Sequence, residues 1–257
     1  MAFQNLITES DGRLGRITIN RPDKLNALNR LTLKELRQAL EEMDQDGEIR
    51  VILLTGSGEK AFVAGADISE FSDFDVQEGT ALALKGQKAL FDYLEDLGTP
   101  VIAAINGFAL GGGLELAMAS HIRVAGEQAR MGLPEVSLGL IPGYGGTQRL
   151  PQLVGKGKAL EMIMTGAMIG AREALDYGLV NHVVPNDELL TFCEELAEKI
   201  SRNSPMAIAA AIRSVNAGYR YGTDGFKVEI ETFGNCFGTE DFIEGTTAFL
   251  KKRKPRF

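Results

Sequence analysis

Two short, uninterrupted apolar runs constrain the fold of this 257-residue chain more than any other feature. Residues 51–55 (VILLT) are closed by Gly56, and residues 101–106 (VIAAIN) follow Pro100 and end at Gly107. Runs that do not alternate with polar residues are typical of strands buried on both faces of a sheet. Such strands belong to parallel sheets covered by helices, so the two runs predict an α/β fold.

Segments with strand and helix periodicity alternate through the first half of the chain, and helices dominate after Pro151. The pattern predicts strands over 12–20, 51–55, 101–106, 121–125 and 128–132, and helices over 31–43, 80–97 and 111–120. It predicts further helices over 156–165, 171–177, 187–202, 205–217, 224–236 and 240–253. With a loose boundary near residue 195, we expect an α/β core over 1–195 and a helical region over 196–257 that packs on this core or on another subunit.

Composition excludes several classes of function. With 27 Lys and Arg against 35 Asp and Glu, the net charge of −8 disfavours general nucleic-acid binding, although five basic residues crowd into the last seven positions. The two cysteines, Cys193 and Cys236, are far apart, which argues against a disulfide framework or a zinc knuckle and favours a reducing, cytoplasmic compartment. We expect neither a secretory signal nor a membrane span. The motifs GxxxxGK[ST], HExxH and GxSxG are absent, so the usual signatures of nucleotide, zinc-peptidase and serine-hydrolase sites are missing.

Residues 100–149 carry the pattern that best suggests chemistry. A buried strand runs into the cluster Gly111–Gly113 and then into a helix, which leaves N–H groups at the helix start free to meet negative charge. Glu115 lies in the first turn of that otherwise apolar helix, and Glu135 follows Pro134 in a second apolar segment. Each carboxylate alone is explained by a helix dipole or a loop hydrogen bond. Together they suit general acid–base work, because one can accept a proton while the other donates one.

Six segments, taken in order along the chain, resemble the crotonase (enoyl-CoA hydratase) superfamily. They are NRPDKLNAL (20–28), FVAGADI (62–68), INGFALGGGLELAM (105–118), LPEVSLGLIPGYGGTQRL (133–150), ALDYGLVNHVV (174–184) and TAFLKKRK (247–254). The resemblance implies a spiral of ββα units, with a helical C-terminal region that builds trimers, and two trimers commonly stack into a hexamer. It also implies an acyl-CoA thioester substrate, with no metal and no cofactor besides the CoA of the substrate.

The resemblance assigns roles to particular positions. It places the thioester oxygen between the N–H groups of Ala66 and Gly112, and it places Glu115 and Glu135 on a water molecule that lies near the backbone of Gly143. CoA would lie along Lys24 to Ala27 and Ala64 to Ile68. These assignments give a set of CoA-binding residues that consists of Lys24, Ala27, Ala64, Asp67 and Ile68, with Phe249 and Lys252 at the nucleotide end, often from a neighbouring subunit.

The presence of both glutamates favours a hydratase, which adds water reversibly and syn across a trans-2-enoyl-CoA. Three alternatives stay open: a 3-hydroxyacyl-CoA dehydratase, which runs the reaction in reverse, a Δ3/Δ2-enoyl-CoA isomerase, and an RNA-binding relative of the fold. The RNA-binding role would need a basic helix, whereas residues 31–46 mix both charge signs. Two positions depart from the family pattern: His121 stands where aspartate is common, and Leu133 replaces a frequent glutamine.

Overall fold

A computed structural model describes residues 3–257, which form ten strands and ten α-helices. The strands are β1 (Leu6–Asp11), β2 (Leu14–Ile19), β3 (Val51–Gly56), β4 (Ala61–Ala64), β5 (Val101–Ile105), β6 (Phe108–Leu110), β7 (Ile122–Gly126), β8 (Arg130–Gly132), β9 (Ile169–Gly170) and β10 (His182–Val184). The helices are α1 (Arg30–Gln45), α2 (Val76–Gly86), α3 (Asp92–Glu95), α4 (Gly112–Ala119), α5 (Gly146–Thr165), α6 (Ala171–Asp176), α7 (Leu189–Ser201), α8 (Pro205–Ala217), α9 (Gly225–Cys236) and α10 (Glu240–Leu250). The predicted α/β class is confirmed.

The strands form two sheets. The larger has the order β1-β2-β3-β5-β7-β10 and is parallel apart from the β1–β2 hairpin. The smaller has the order β4-β6-β8-β9, with β9 antiparallel. Consecutive units place their first strand in the larger sheet and their second in the smaller one, followed by a helix, as in β3-β4-α2 and β5-β6-α4. This is the expected repetition of ββα units.

The apolar runs at β3 and β5 are buried on both faces, as predicted. Alternate side chains of β3 point to opposite sides of the sheet. Ile52 and Leu54 join the main core beneath α1 and α4, whereas Val51 and Leu53 join a second core formed with α7. The short strands β4 and β6 were not predicted, because runs of three or four residues are too short for a periodicity that separates a strand from a turn.

Two helix predictions need correction. The helix predicted over 156–165 begins ten residues earlier, at Gly146, and is interrupted at Gly155, whose φ of 78° lies in the left-handed region. The helix predicted over 80–97 consists of α2, a π-helical turn over Gln87–Phe91 and α3. The glycines of the α5 segment have low helix propensity, so the sequence does not predict the first part of this helix. A π-helical turn has no local sequence signature.

The boundary expected near residue 195 falls inside α7. This helix packs on the larger sheet through Leu189, Cys193 and Ala197, which are all buried. The helices α8, α9 and α10 follow, and they carry many exposed large apolar side chains. These include Met206, Tyr219, Tyr221, Phe226, Ile230, Phe233, Phe237, Ile243, Phe249 and Leu250.

Candidate active site

The ends of β4 and β6 bring two backbone N–H groups to one edge of the smaller sheet. These strands are parallel and paired at Ala64 and Leu110, so Ala66 and Gly112 each lie two residues beyond the same rung. Gly112 is the first residue of α4, and its N–H therefore has no acceptor within the helix. The N–H of Leu28 donates to Gly65 O (2.9 Å) and Leu28 O accepts from Asp67 N (2.7 Å), which leaves the N–H of Ala66 directed away from Leu28.

Glycine permits the close contacts that hold this edge together. A Cβ atom at Gly113 would lie 2.0 Å from the carbonyl oxygen of Val63, so only glycine lets α4 approach β4 this closely. Gly111 has a φ of 50°, and a Cβ atom there would lie 3.8 Å from the Cα of Gly65. The two turns that carry Ala66 and Gly112 are therefore packed against each other.

Glu115 lies in the first turn of α4 and is 1% exposed. Its Oε1 accepts hydrogen bonds from the N–H of Tyr144 (2.8 Å) and the N–H of Gly146 (2.7 Å). Its Oε2 accepts none from residues 3–257. One oxygen is thus fixed by the backbone of residues 144–146, and the other is free for a ligand or a water molecule.

Glu135 approaches the same helix start from the segment that follows β8. Its Oε1 lies against Gly111, where a Cβ atom would be 2.8 Å from that oxygen. Its Oε2 is buried and has no hydrogen-bond partner among residues 3–257. A buried acceptor without a partner is unfavourable in a resting fold, so this oxygen indicates a position where a ligand, a water molecule or a proton is expected.

Burial raises the pKa of both carboxyl groups. The pKa of Glu115 rises from 4.5 to about 7, because desolvation and the negative charge of Glu135 together outweigh the hydrogen bonds from Gly146 and Tyr144. Burial also raises the pKa of Glu135. Each carboxyl group therefore keeps its proton to a higher pH than a free glutamic acid does, which suits acid–base catalysis.

The loop over residues 143–146 holds one oxygen of Glu115. Of its residues, sequence reasoning singled out only Gly143. The Tyr144 ring stacks on Phe91 at 4.7 Å, and the carbonyl of Gly143 accepts a hydrogen bond from Gln87 Nε2 (2.8 Å). Both partners come from the π-helical turn, a feature that often marks functional sites. Arg149 is a further residue beside this loop that sequence reasoning missed. The one signal for it in the sequence is that a single cation stands next to an apolar run.

The segments expected to bind CoA lie side by side. Ala64 N donates to Leu25 O (3.0 Å), which joins the stretch 24–27 to the stretch 64–68. Asp67 forms an ion pair with Arg21 at 2.9 Å and accepts from the Ser69 hydroxyl, and these contacts lower the pKa of its carboxyl group. Its carboxylate is therefore already paired within the chain.

Asn26, which sequence reasoning did not single out, fixes the first of these two segments. It is buried with a φ of 59°, and its Nδ2 donates to Ser57 O (3.0 Å) and Ala61 O (2.8 Å). An asparagine tolerates this left-handed conformation better than most residues, which is the only hint that the sequence offers.

The other positions that the sequence singled out form no hydrogen bond with either glutamate within residues 3–257. Phe249 is 83% exposed near the end of α10, Lys252 follows with a φ of 53°, and no hydrogen bond joins either to the 24–27 or 64–68 segments within residues 3–257. His121 accepts a hydrogen bond from Val101 N (2.9 Å), and burial lowers the pKa of its imidazole to about 4. Leu133 is fully buried in the main core. Among the described residues no cluster of His, Cys, Asp and Glu could hold a metal ion.

Comparison with known proteins agrees with this geometry. The family model described as enoyl-CoA hydratase/isomerase matches residues 9–257. A short-chain-enoyl-CoA hydratase of Clostridium acetobutylicum is 49% identical over 99% of this chain and 97% of its own length. A crotonyl-CoA hydratase of Syntrophomonas wolfei is 44% identical over 100% of this chain and 99% of its own. The crystal structure of an enoyl-CoA hydratase from Bacillus anthracis superimposes with a TM-score of 0.92 at 40% identity, covering 99% of both chains. The chain therefore belongs to the enoyl-CoA hydratase/isomerase family.

Proposed function

We propose that the protein is an enoyl-CoA hydratase that adds water reversibly and syn across the C2–C3 double bond of a short-chain trans-2-enoyl-CoA. The observation that carries the proposal is a pair of carboxyl groups, the buried Glu115 and the half-buried Glu135, beside the free N–H at the start of α4. Two backbone N–H groups hold Oε1 of Glu115, and Oε2 of Glu135 is buried without a hydrogen-bond partner among residues 3–257. The names of the Clostridium and Syntrophomonas relatives support the short-chain substrate, with crotonyl-CoA as the simplest example.

The proposed mechanism divides the proton transfers between the two glutamates. Glu115 orients a water molecule through its free Oε2 and takes a proton as the water oxygen bonds to C3. The electron pair of the double bond moves toward the thioester oxygen, which accepts hydrogen bonds from Ala66 N and Gly112 N. Glu135 then donates its proton to C2, and the proton held by Glu115 returns to Glu135 before the next turnover. Donors aimed at an enolate-like oxygen each contribute about 10²–10³ in rate.

A dehydratase would use the same mechanism in the reverse direction. Each glutamate that acts as an acid in one direction acts as a base in the other. An isomerase would need only one of the two carboxylates. The raised pKa values of both carboxyl groups, with that of Glu115 at about 7, favour the hydratase, in which both groups exchange protons. As proposed, the reaction uses no metal and no nucleotide cofactor beyond the CoA of the substrate.

We also propose that the enzyme assembles as a hexamer made of two trimers. The exposed apolar side chains of α8, α9 and α10 support this, because apolar patches on such a scale usually mark an interface. The residues that would contact CoA are Lys24, Ala27, Ala64, Asp67 and Ile68. The carboxylate of Asp67 is already paired within the chain, so Asp67 would contact CoA through its backbone. Phe249 and Lys252 would reach the nucleotide end of CoA from a neighbouring subunit.

A cytoplasmic setting in fatty acid β-oxidation is proposed as well. Both cysteines are free, which agrees with a reducing compartment. No helix in the described part of the chain is long and apolar enough to cross a membrane.

The function is tested with purified protein and crotonyl-CoA. We expect the absorbance of the conjugated enoyl thioester to fall in the presence of the protein, without added metal or nucleotide and equally in the presence of a chelator. A series of enoyl-CoA substrates from four to sixteen carbons then ranks kcat/KM, with the maximum expected at the short end. Activity that is lost with chelator and restored by zinc would contradict the mechanism.

A further inference from the structure

One side of the loop over residues 143–146 faces Glu115. Its N–H groups at Tyr144 and Gly146 both donate to Glu115 Oε1. The orientation of the free Oε2, which faces the water in the proposed mechanism, depends on where these two donors lie. Whatever fixes the other side of the loop therefore fixes the direction of the base.

A single buried arginine holds that other side. Arg149 Nη1 donates to the carbonyl oxygen of Tyr144 (2.9 Å). Arg149 Nη2 donates to Asp92 Oδ1 (3.1 Å) and to Glu95 Oε2 (2.7 Å) on α3. Its side chain is 8% exposed, so the guanidinium is desolvated and its hydrogen bonds are strong. Tyr144 is thus joined to Glu115 through its N–H group and, by way of Arg149, to α3 through its carbonyl group.

Gln87 and Phe91 support the loop at the Gly143 carbonyl and at the Tyr144 ring, whereas Arg149 supplies the side-chain hydrogen bond to the Tyr144 carbonyl. A cavity of about 600 Å³ lies behind the loop, lined in part by Gly145, Arg149 and Glu95, so packed side chains do not support the loop there. Gly145 has a φ of 97°, and a Cβ atom at this position would lie 2.1 Å from Arg149 Nη1. The glycine is required so that the guanidinium can reach the Tyr144 carbonyl.

The contacts continue outward to the helical C-terminal region. Asn216, on α8, donates from Nδ2 to the carbonyl oxygen of Glu95 (2.6 Å). Arg220, just after α8, forms an ion pair with Asp96. The turn at the end of α3 is therefore held from outside by α8 and from inside by Arg149.

We propose that Arg149 is a positioning residue of the hydration reaction, which orients Glu115 by clamping the Tyr144 peptide to α3 and, through α3, to α8. The inference rests on the proposed function, because it assigns a task to Glu115 as the base. In this proposal Arg149 acts through the 143–146 loop, whose Tyr144 carbonyl it binds.

The decisive variants are Arg149→Met and Arg149→Lys. Arg149→Met removes the clamp, and we expect kcat for crotonyl-CoA to fall about 10- to 100-fold, the scale of a catalytic group displaced by about 1 Å, while KM stays within about twofold. Arg149→Lys keeps the cation but offers one nitrogen in place of the two that bind the Tyr144 carbonyl and the carboxylates of α3. We expect a smaller loss of kcat in this variant.

A pH profile separates positioning from general stability. Glu115 is influenced by Glu135, which raises its pKa, and by Arg149, which lowers it, while Glu115 in turn raises the pKa of Tyr144. Removing the Arg149 charge should therefore move the limb of the kcat/KM profile that reports ionised Glu115 to higher pH. Arg149→Lys should leave that limb in place.

Lys158→Met is the matched control. Lys158 lies on the same helix, its side chain is 11% exposed, and it forms an ion pair with Glu173 at 2.8 Å, away from the loop. We expect this variant to lose stability but to retain kcat and the pH limb.

The outcomes separate the two proposals. If the wild-type protein does not hydrate crotonyl-CoA, the proposed function fails. If the wild type is active and Arg149→Met behaves like Lys158→Met, the positioning role is refuted. Should Arg149→Met not fold, Arg149→Lys decides: wild-type kcat in that variant refutes the clamp, and reduced kcat with an unmoved limb supports it.

Discussion

Replacing Glu115 by Gln should abolish most of the activity and at the same time stabilise the protein at alkaline pH. Glutamine keeps an oxygen that can accept from Tyr144 N and Gly146 N, so the loop stays in place, but it cannot accept a proton from water. Loss of a positioned base lowers kcat by about 10²–10⁴. KM should change little, because CoA binding rests on other residues.

The stability gain follows from the raised pKa of Glu115. In the folded protein this pKa is about 7 instead of 4.5, so as pH rises the unfolded chain releases the proton first. The neutral carboxyl group of the wild type makes its full contribution to the free energy of unfolding below pH 4.5. This contribution is lost as the pH rises to about 7. Glutamine does not titrate. The unfolding free energy of Glu115→Gln relative to wild type should therefore increase by about 2 to 3 kcal/mol between pH 5 and pH 8.

Urea denaturation at pH 5, 6, 7 and 8 measures this difference. All samples are kept at one protein concentration, because dissociation of the proposed hexamer would contribute to the transition. Only the change with pH is compared, so any constant effect of the amide cancels. A difference that does not vary with pH would refute the assignment of a raised pKa to Glu115. Retention of near-full kcat would refute its role as the base.

Three further predictions test other parts of the site. Glu135→Gln should lower kcat by about 10²–10⁴, and its combination with Glu115→Gln should cost little more than the worse single variant, since both groups act on one water; near-full activity of Glu135→Gln alone would favour a single-base isomerase. Gly113→Ala should destabilise the fold by about 3 kcal/mol in denaturant titration, because the added methyl would lie 2.0 Å from Val63 O. Light scattering at micromolar concentration should give the mass of a hexamer, and a monomer would contradict the proposed assembly.

The sequence alone predicted the α/β class, which is confirmed, and it singled out the two glutamates, which the structure places beside the same helix start. The physical reason is local. Residues 51–54 and 101–105 are buried on both faces of the sheet and are all apolar, so the pattern is visible without knowledge of the neighbours. The pairing of Glu115 with Glu135 could be proposed because two lone carboxylates in apolar, glycine-rich segments are costly unless they have a task.

The tertiary structure alone decided how those glutamates are held and tuned. The raised pKa of Glu115 depends on burial and on donors from residues 29 and 31 positions later in the chain. The clamp by Arg149 depends on α3, which precedes it by more than 50 residues, and on a π-helical turn that no local pattern encodes. Such features arise from contacts between distant segments, and propensity and periodicity describe only neighbours along the chain.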